Sequence, residues 1–269
     1  MSGSILSYIY NKVERTSRHV ICCGLLAFLP LMAYGQVGEY RTDFAIGVNA
    51  GYMLNTIGFQ PEVPQKMMGG LTGGLTIRYT CERYFKSICA IVAEVNYAQL
   101  GWKEEILDRD DNPVYYADDP DMTTPLAYQR RINYIQIPLM ARMGWGRERR
   151  GVQGFVQVGP QLGLLLGEST TTNVDASRAL LKKRVSSITA QESMAIEKSF
   201  DYGIAGGAGI ELSFPKIGHF LLEGRYYFGL GNIFKNSKSD YFGKSNHSTI
   251  VIKLTYLYDL VKTKNDKIK

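Results

Sequence analysis

Histidine, cysteine and tryptophan are scarce in this chain, with 3 His, 4 Cys and 2 Trp among 269 residues. His19, Cys22 and Cys23 fall in the N-terminal leader described below, so His219, His247, Cys81 and Cys89 are what remains. Their spacing makes no zinc site. Charge of one sign is lacking too. Lys and Arg number 31 against 25 Asp and Glu, a net charge of +6, and loss of the leader with three bases and one acid leaves +4. That excess is too small to argue for a nucleic-acid partner. After Met32 no apolar run is long enough to cross a bilayer as a helix, which excludes a helical membrane bundle. No metal, cofactor or catalytic residue is assigned.

What is present begins with an address. Lys12, Arg15 and Arg18 precede the apolar run Val20 to Met32, and Ala33-Tyr34-Gly35 follows with small residues at −3 and −1. This is the layout of a secretory signal peptide, residues 1–35, cleaved after Gly35; an uncleaved anchor is the alternative. The basic segment is long for a leader, which leaves Met1 open as the true start. Residues 36–42 then form a short N-terminal segment.

From Asp43 onward the chain reads at period two, the period of a half-buried strand. Eight stretches alternate: Phe44–Tyr52, Gly70–Thr80, Ile88–Trp102, the stretch containing Tyr134–Arg142, Val152–Leu166, Asp201–Ser213, Phe220–Leu230 and Ser248–Leu260. Each is near or above the ~9–11 residues that cross a bilayer obliquely. Short connections at 82–87, 144–151 and 214–218 alternate with long ones at 53–69, 103–129, 167–200 and 231–247. Short periplasmic turns, long outer loops and an even strand count are the pattern of an outer-membrane β-barrel. The expectation is therefore all-β: an eight-stranded antiparallel transmembrane β-barrel over residues 43–260 with a polar, plugged lumen, followed by a basic periplasmic tail, 261–269. It is expected as a monomer in the bacterial outer membrane, in contact with lipid and lipopolysaccharide.

One face of each stretch carries almost no charge, whereas the other carries Gln, Asn, Glu, Arg, Lys and Gly. A soluble barrel would turn the apolar face inward; here the polar face is read as the lumen. Seven charges fall on it: Arg78, Glu94, Arg142, Glu211, Glu223, Arg225 and Lys253. Four bases against three acids predict an ion-paired interior, with Glu94, Glu223, Arg225 and Lys253 in a middle layer and Arg78, Arg142 and Glu211 below. Tyr52, Tyr97, Trp102 and Tyr226 above, with Tyr79, Trp145, Tyr256 and Tyr258 below, are expected as interfacial girdles.

Smaller motifs carry competing readings. Pro138 interrupts "YIQIPLMAR" (134–142), and Pro160 falls near it across the next hairpin, so the two are expected to share a strand bulge, or to make two unrelated ones. Cys81 and Cys89 flank a six-residue turn in an oxidising compartment and form either a disulfide or two free thiols. "GIAGGAG" (203–209) resembles a phosphate loop but lies inside a strand, so its glycines are read as making room for Arg and Tyr opposite. Asp108, Asp110, Asn112 and Asp119 match Ca²⁺-loop positions, yet Pro113 occupies the position that needs Gly. A solvated acidic loop, loosely collecting divalent cations near lipopolysaccharide, is the reading. Lys182, Lys183 and Arg184 read as solvated surface or as contacts to anionic sugars. His247 with Asp240 is the single catalytic pairing the loops offer, and supports a surface enzyme as an alternative; a narrow channel is another.

Three blocks resemble a known family. "AEVNYAQLGWK" (93–103) is similar to the Glu-x-x-Tyr-x-x-x-Gly stretch of the PorT-like outer-membrane β-barrel family of Bacteroidetes, "YIQIPLMAR" to its Tyr-x-x-Ile-Pro-Leu strand, and "VGPQLGLLLG" (158–167) to its Gly-Pro strand. The resemblance implies an eight-stranded outer-membrane barrel of a Gram-negative bacterium with a link to secretion or envelope assembly; the want of placed catalytic groups makes a non-enzymatic structural or interaction role the expectation. The basic tail departs from the family's aromatic ending.

Overall fold

The strands that period-two patterning predicts close into one ring. The computed structural model describes residues 39–119, 121–175, 177–234 and 241–263. The elements are β1 (Glu39–Gln60), β2 (Gln65–Lys66), β3 (Met68–Tyr84), β4 (Ser87–Glu104), β5 (Tyr128–Gly146), β6 (Gly151–Thr172), α1 (Ala190–Ser193), β7 (Phe200–Phe214), β8 (Gly218–Gly229) and β9 (Lys244–Val261). Neighbours run β4-β3-β1-β9-β8-β7-β6-β5, and a further β4–β5 pairing closes the ring. The two-residue β2 pairs only with the tip of β4. Closure is what lipid requires, because no edge is left with unpaired backbone groups.

Several boundaries differ from expectation. β1 begins at Glu39 rather than 43 and continues to Gln60, through what reads in sequence as loop. Most strands run to 15 residues or more, such as the 22 of β6, well beyond the ~9–11 that span. The surplus stands mainly on the long-loop side. At the short-turn end Thr42 N–H donates to Thr263 Oγ1 at 2.8 Å, and Thr263 N–H donates to Asp43 Oδ1, so residues 261–263 continue the ring. The remainder of the tail, like the signal segment, lies outside the described residues.

The apolar face points outward: Val48, Leu75, Val95, Leu139, Ile252 and Leu254 are all more than half exposed. On β4 this lipid-facing row runs from Ile91 to Tyr97. Tyr52, Tyr97 and Tyr226 stand outward at the upper border of the belt, and Tyr79, Trp145 and Tyr258 at the lower. Trp102 is a correction. It is 0% exposed and points inward, because it shares the even parity of Glu94, Asn96 and Leu100 on β4.

The prolines differ from expectation, and the cysteines take the second of their two readings. Pro138 faces inward and Pro160 outward. They are close across the β5–β6 hairpin, but Pro138↔Gln161 and Ala141↔Val158 keep one register, so no extra residue is inserted between them. Pairing lapses for the two residues between, which absorbs the missing N–H without a bulge. The register shift of this hairpin lies at Asn133/Tyr134. Cys81 and Cys89 are free thiols. The β3–β4 ladder shifts between Thr80 and Glu82, so Glu82 is opposite Cys89 and Cys81 is displaced from the cross-strand position.

Candidate functional site

Inward-facing side chains build two charged layers across the lumen. In the middle layer β4 supplies Glu94, β8 supplies Glu223 and Arg225, and β9 supplies Lys253. Arg225 donates to both Glu94 oxygens, Nη1 at 3.1 Å and Nη2 at 2.9 Å, and its Nε donates to Glu223 at 2.7 Å. Lys253 Nζ reaches Glu94 at 2.5 Å and Glu223 at 3.4 Å. Amides fill the remaining acceptor positions: Asn96 Nδ2 donates to Glu94 at 2.8 Å and Gln157 Nε2 to Glu223 at 2.6 Å. Two acids face two bases, and all four are nearly inaccessible to solvent. Buried charges are tolerated when they are paired and their lone pairs are occupied.

The lower layer, nearer the short turns, centres on Glu211 of β7. Arg78 Nη1 donates to it at 2.8 Å and Arg142 Nη2 makes a close second contact. The Arg142 guanidinium lies 3.8 Å from the centroid of the Phe155 ring. His219 joins this layer, with Nδ1 2.7 Å from Glu211 and Nε2 2.7 Å from Asp259. The sequence-predicted lumen set left out His219 and Asp259, although both sit at lumen parity, on β8 and β9. Ser213 Oγ is 2.8 Å from His219 Nδ1, so Ser213, His219 and Asp259 stand in the order of nucleophile, base and orienter. The order alone does not make chemistry. The adjoining cavity is about 30 Å³, the volume of roughly one water, and Glu211 competes for the same imidazole nitrogen.

The seven predicted lumen charges are thus brought together in two groups, four and three. Bare glycines make the space. A Cβ on Gly209 would lie 2.6 Å from Phe155 Cζ and 2.3 Å from the Leu222 carbonyl, and one on Gly207 would lie 3.1 Å from Glu223 Oε1. The "GIAGGAG" stretch therefore serves the side chains opposite it.

Above the charges the lumen face changes character. Tyr227 donates to Asp201 at 2.7 Å, and Tyr134 packs edge-on against His247 at 5.4 Å. His247 is fully buried on β9 and both its ring nitrogens lack a protein partner. Asp240, its supposed partner, lies outside the described residues. Higher still is an apolar cluster that the sequence reading did not anticipate. Phe59, Leu100, Trp102, Tyr128 and Ile132 from the strand tops pack with Val114, Leu126, Phe234 and Phe242 from the loops. The Phe59 ring lies 5.4 Å from Trp102 and 5.0 Å from Phe242.

A family profile described as "Outer membrane protein beta-barrel domain" matches residues 34–235. This chain belongs to that family. No curated protein matches it. Solved structures similar to it include OprG of Pseudomonas aeruginosa, at 13% identity and TM-score 0.39, covering 82% of this chain and 98% of that one. Neisserial surface protein A matches at 10% identity and TM-score 0.37, covering 81% and 99%. Ail, the attachment invasion locus protein of Yersinia pestis, matches at 10% and 0.33, covering 80% and 98%.

In this outer-membrane barrel the long-loop end carries its own polar contacts. Asp108 accepts from the N–H groups of Asp110 and Asn112 and from Lys182 Nζ at 2.8 Å. The Lys182 hydrogen bond holds its carboxyl below the usual range. Asp119 instead caps a separate turn through Thr123 and Thr124, so the acids do not converge on one cation position. Arg184 bonds Glu192 at 2.8 Å and reaches Glu104 at 3.4 Å. Glu104, at the end of β4 above the lipid belt, also accepts from Gln191 of α1 at 2.9 Å. Burial pushes its carboxyl up to about 7. Lys182 and Arg184, read in sequence as solvated, are thus engaged by the acidic loop. Among the described residues no cluster of His, Cys, Asp or Glu could hold a metal ion.

Proposed function

We propose that this protein is a non-enzymatic outer-membrane barrel whose lumen is plugged by its own ion pairs and aromatic side chains, and which works through its outer loops and periplasmic face. The observation that carries the reading is the middle layer, in which Glu94, Glu223, Arg225 and Lys253 neutralise one another across the bore. A conduit needs water or an ion to replace those partners, and an eight-stranded ring is just wide enough for side chains to fill. The aromatic cluster over the outer end supports the same reading. The alternative of a surface enzyme gains nothing from His247, which is buried on β9 beneath that cluster. The resemblance of residues 93–103 and 134–142 to PorT-like barrels extends the proposal to a partner in secretion or envelope assembly, in a monomeric barrel exported by a cleaved signal peptide. Purified protein in planar bilayers is expected to give no steady conductance, and a stable open channel would refute the plug. Crosslinking and pull-down from native outer membranes identifies the partner.

A further inference from the structure

Among the described residues the outer wall has an open apolar recess near the short-turn end. Cys81, Cys89, Ile91, Ala141, Met143 and Val156 of four adjacent strands, β3 to β6, line a space of about 480 Å³. It forms where three small residues, Cys81, Cys89 and Ala141, fall together on adjacent strands and the ladder shift displaces Cys81. A space of this size falls within the ~300–1,000 Å³ of typical ligand sites.

The recess continues downward. Two residues below Met143 on the same face is Trp145, whose cross-strand partner on β6 is Gly154. A Cβ on Gly154 would meet nothing within 4 Å, so the path beside the indole is open. The indole N–H donates to Ser87 Oγ at 2.8 Å. Because Ser87 pairs with Trp145, the β3–β4 turn lies beside the β5–β6 turn. Those turns present Lys86, Arg147 and Arg150, all exposed. Glu148, the acid among them, is already engaged by Arg41 at 3.2 Å and Arg83 at 3.4 Å. Glu82, opposite Cys89, is the other nearby acid and offsets one of these three charges. An apolar slot thus opens above turns of net positive charge at the level where lipid headgroups begin.

We propose that the recess and these turns form a binding site for an anionic phospholipid of the periplasmic leaflet. Its acyl chain lies along Ala141 and Met143, and its phosphate meets Lys86, Arg147 and Arg150. Basic residues next to a membrane surface attract anionic lipid, and the recess adds the shape that bulk lipid contact lacks.

Trp145 reports on the site directly. The chain has 2 tryptophans, and Trp102 is buried in the outer apolar cluster, so a Trp102→Phe background leaves one reporter. The protein is reconstituted in phosphatidylcholine vesicles with a small fraction of phosphatidylglycerol or phosphatidylcholine brominated near the glycerol. Quenching by the brominated phosphatidylglycerol is expected to exceed that by the brominated phosphatidylcholine. Lys86→Gln with Arg147→Gln and Arg150→Gln should reduce the preference at least about fivefold. Ala141→Phe should weaken quenching by both lipids. Band shift on heating confirms that each variant is folded. Equal quenching by the two lipids, a preference that survives the triple substitution, or an Ala141→Phe protein that behaves as the parent overturns the proposal.

Discussion

Replacing Glu94 by Gln tests the middle layer with the least change of shape. Glu94 accepts two hydrogen bonds from Arg225 and one from Lys253, so the substitution leaves two buried cations to share Glu223 alone. Each of the lost attractions at ~3 Å is worth about 5 kcal/mol gross at an effective dielectric of ~20. Most of that offsets the desolvation of the ions, and removing one partner of a buried pair costs about 3–5 kcal/mol net. For a domain of this size ~1 kcal/mol corresponds to roughly 2–4 °C in the unfolding midpoint, so a fall of about 6–20 °C is expected. The assay is the loss of the fast-migrating folded band with temperature, run at one heating rate because barrel unfolding is read here as a rate. Adding Lys253→Met to Glu94→Gln returns the layer to balance, one acid and one base, and should recover at least half of the loss as a coupling energy. A single-substitution midpoint within about 3 °C of the parent, with no coupling in the double variant, would show that lumen water already screens the charges and would refute the reasoning.

Gly209→Val should impair folding, since its branched side chain meets the Leu222 carbonyl and the Phe155 ring; the measurement is the yield of heat-shifting protein, and a parental yield would count against the packing described. The outer loops should loosen as pH rises. Glu104 goes from an ordinary value of 4.5 to about 7 in the fold, so the folded loop holds a proton that the opened loop releases, and stability falls between about pH 4.5 and 7. Hydrogen exchange of residues 188–194 should speed up across that window, and Glu104→Gln should flatten the dependence. Cys81 and Cys89 should each take an alkylating label under non-reducing, unfolding conditions, seen by peptide mass mapping; an unlabelled, linked pair would contradict the register at Glu82.

The barrel was legible because period-two alternation is set by the strand itself, and residues such as Ile91, Val95 and Glu94 fall on the correct faces from parity alone. The same parity placed the seven lumen charges, since a charge has no place on the lipid side. Trp102 shows where residue type misled: an aromatic near a strand end suggests a girdle, although its even position already pointed inward. His219 and Asp259 both sit at lumen parity, on β8 with Glu223 and Arg225 and on β9 with Lys253, but were left out of the lumen set because each lies near a strand end beside a short turn. The outer aromatic cluster was hidden for another reason. Phe234, Phe242 and Val114 lie in loops without periodicity, and only the fold brings them over Phe59 and Leu100. Register shifts at Cys81 and Tyr134 arise from pairing with a neighbour and have no signature in either strand alone.

The seam between the first and last long strands has a consequence for biogenesis. β1 pairs with β9 from Phe44↔Val261 to Gln60↔Lys244, and β9 comprises the final 18 strand residues of the ring. Until they arrive, the chain is an open sheet with β1 and β8 as bare margins, each apolar along one side. Bare margins of that kind recruit other chains. A ring that lacks β9 is therefore a template for clumping, and the last strand is what removes both margins at once.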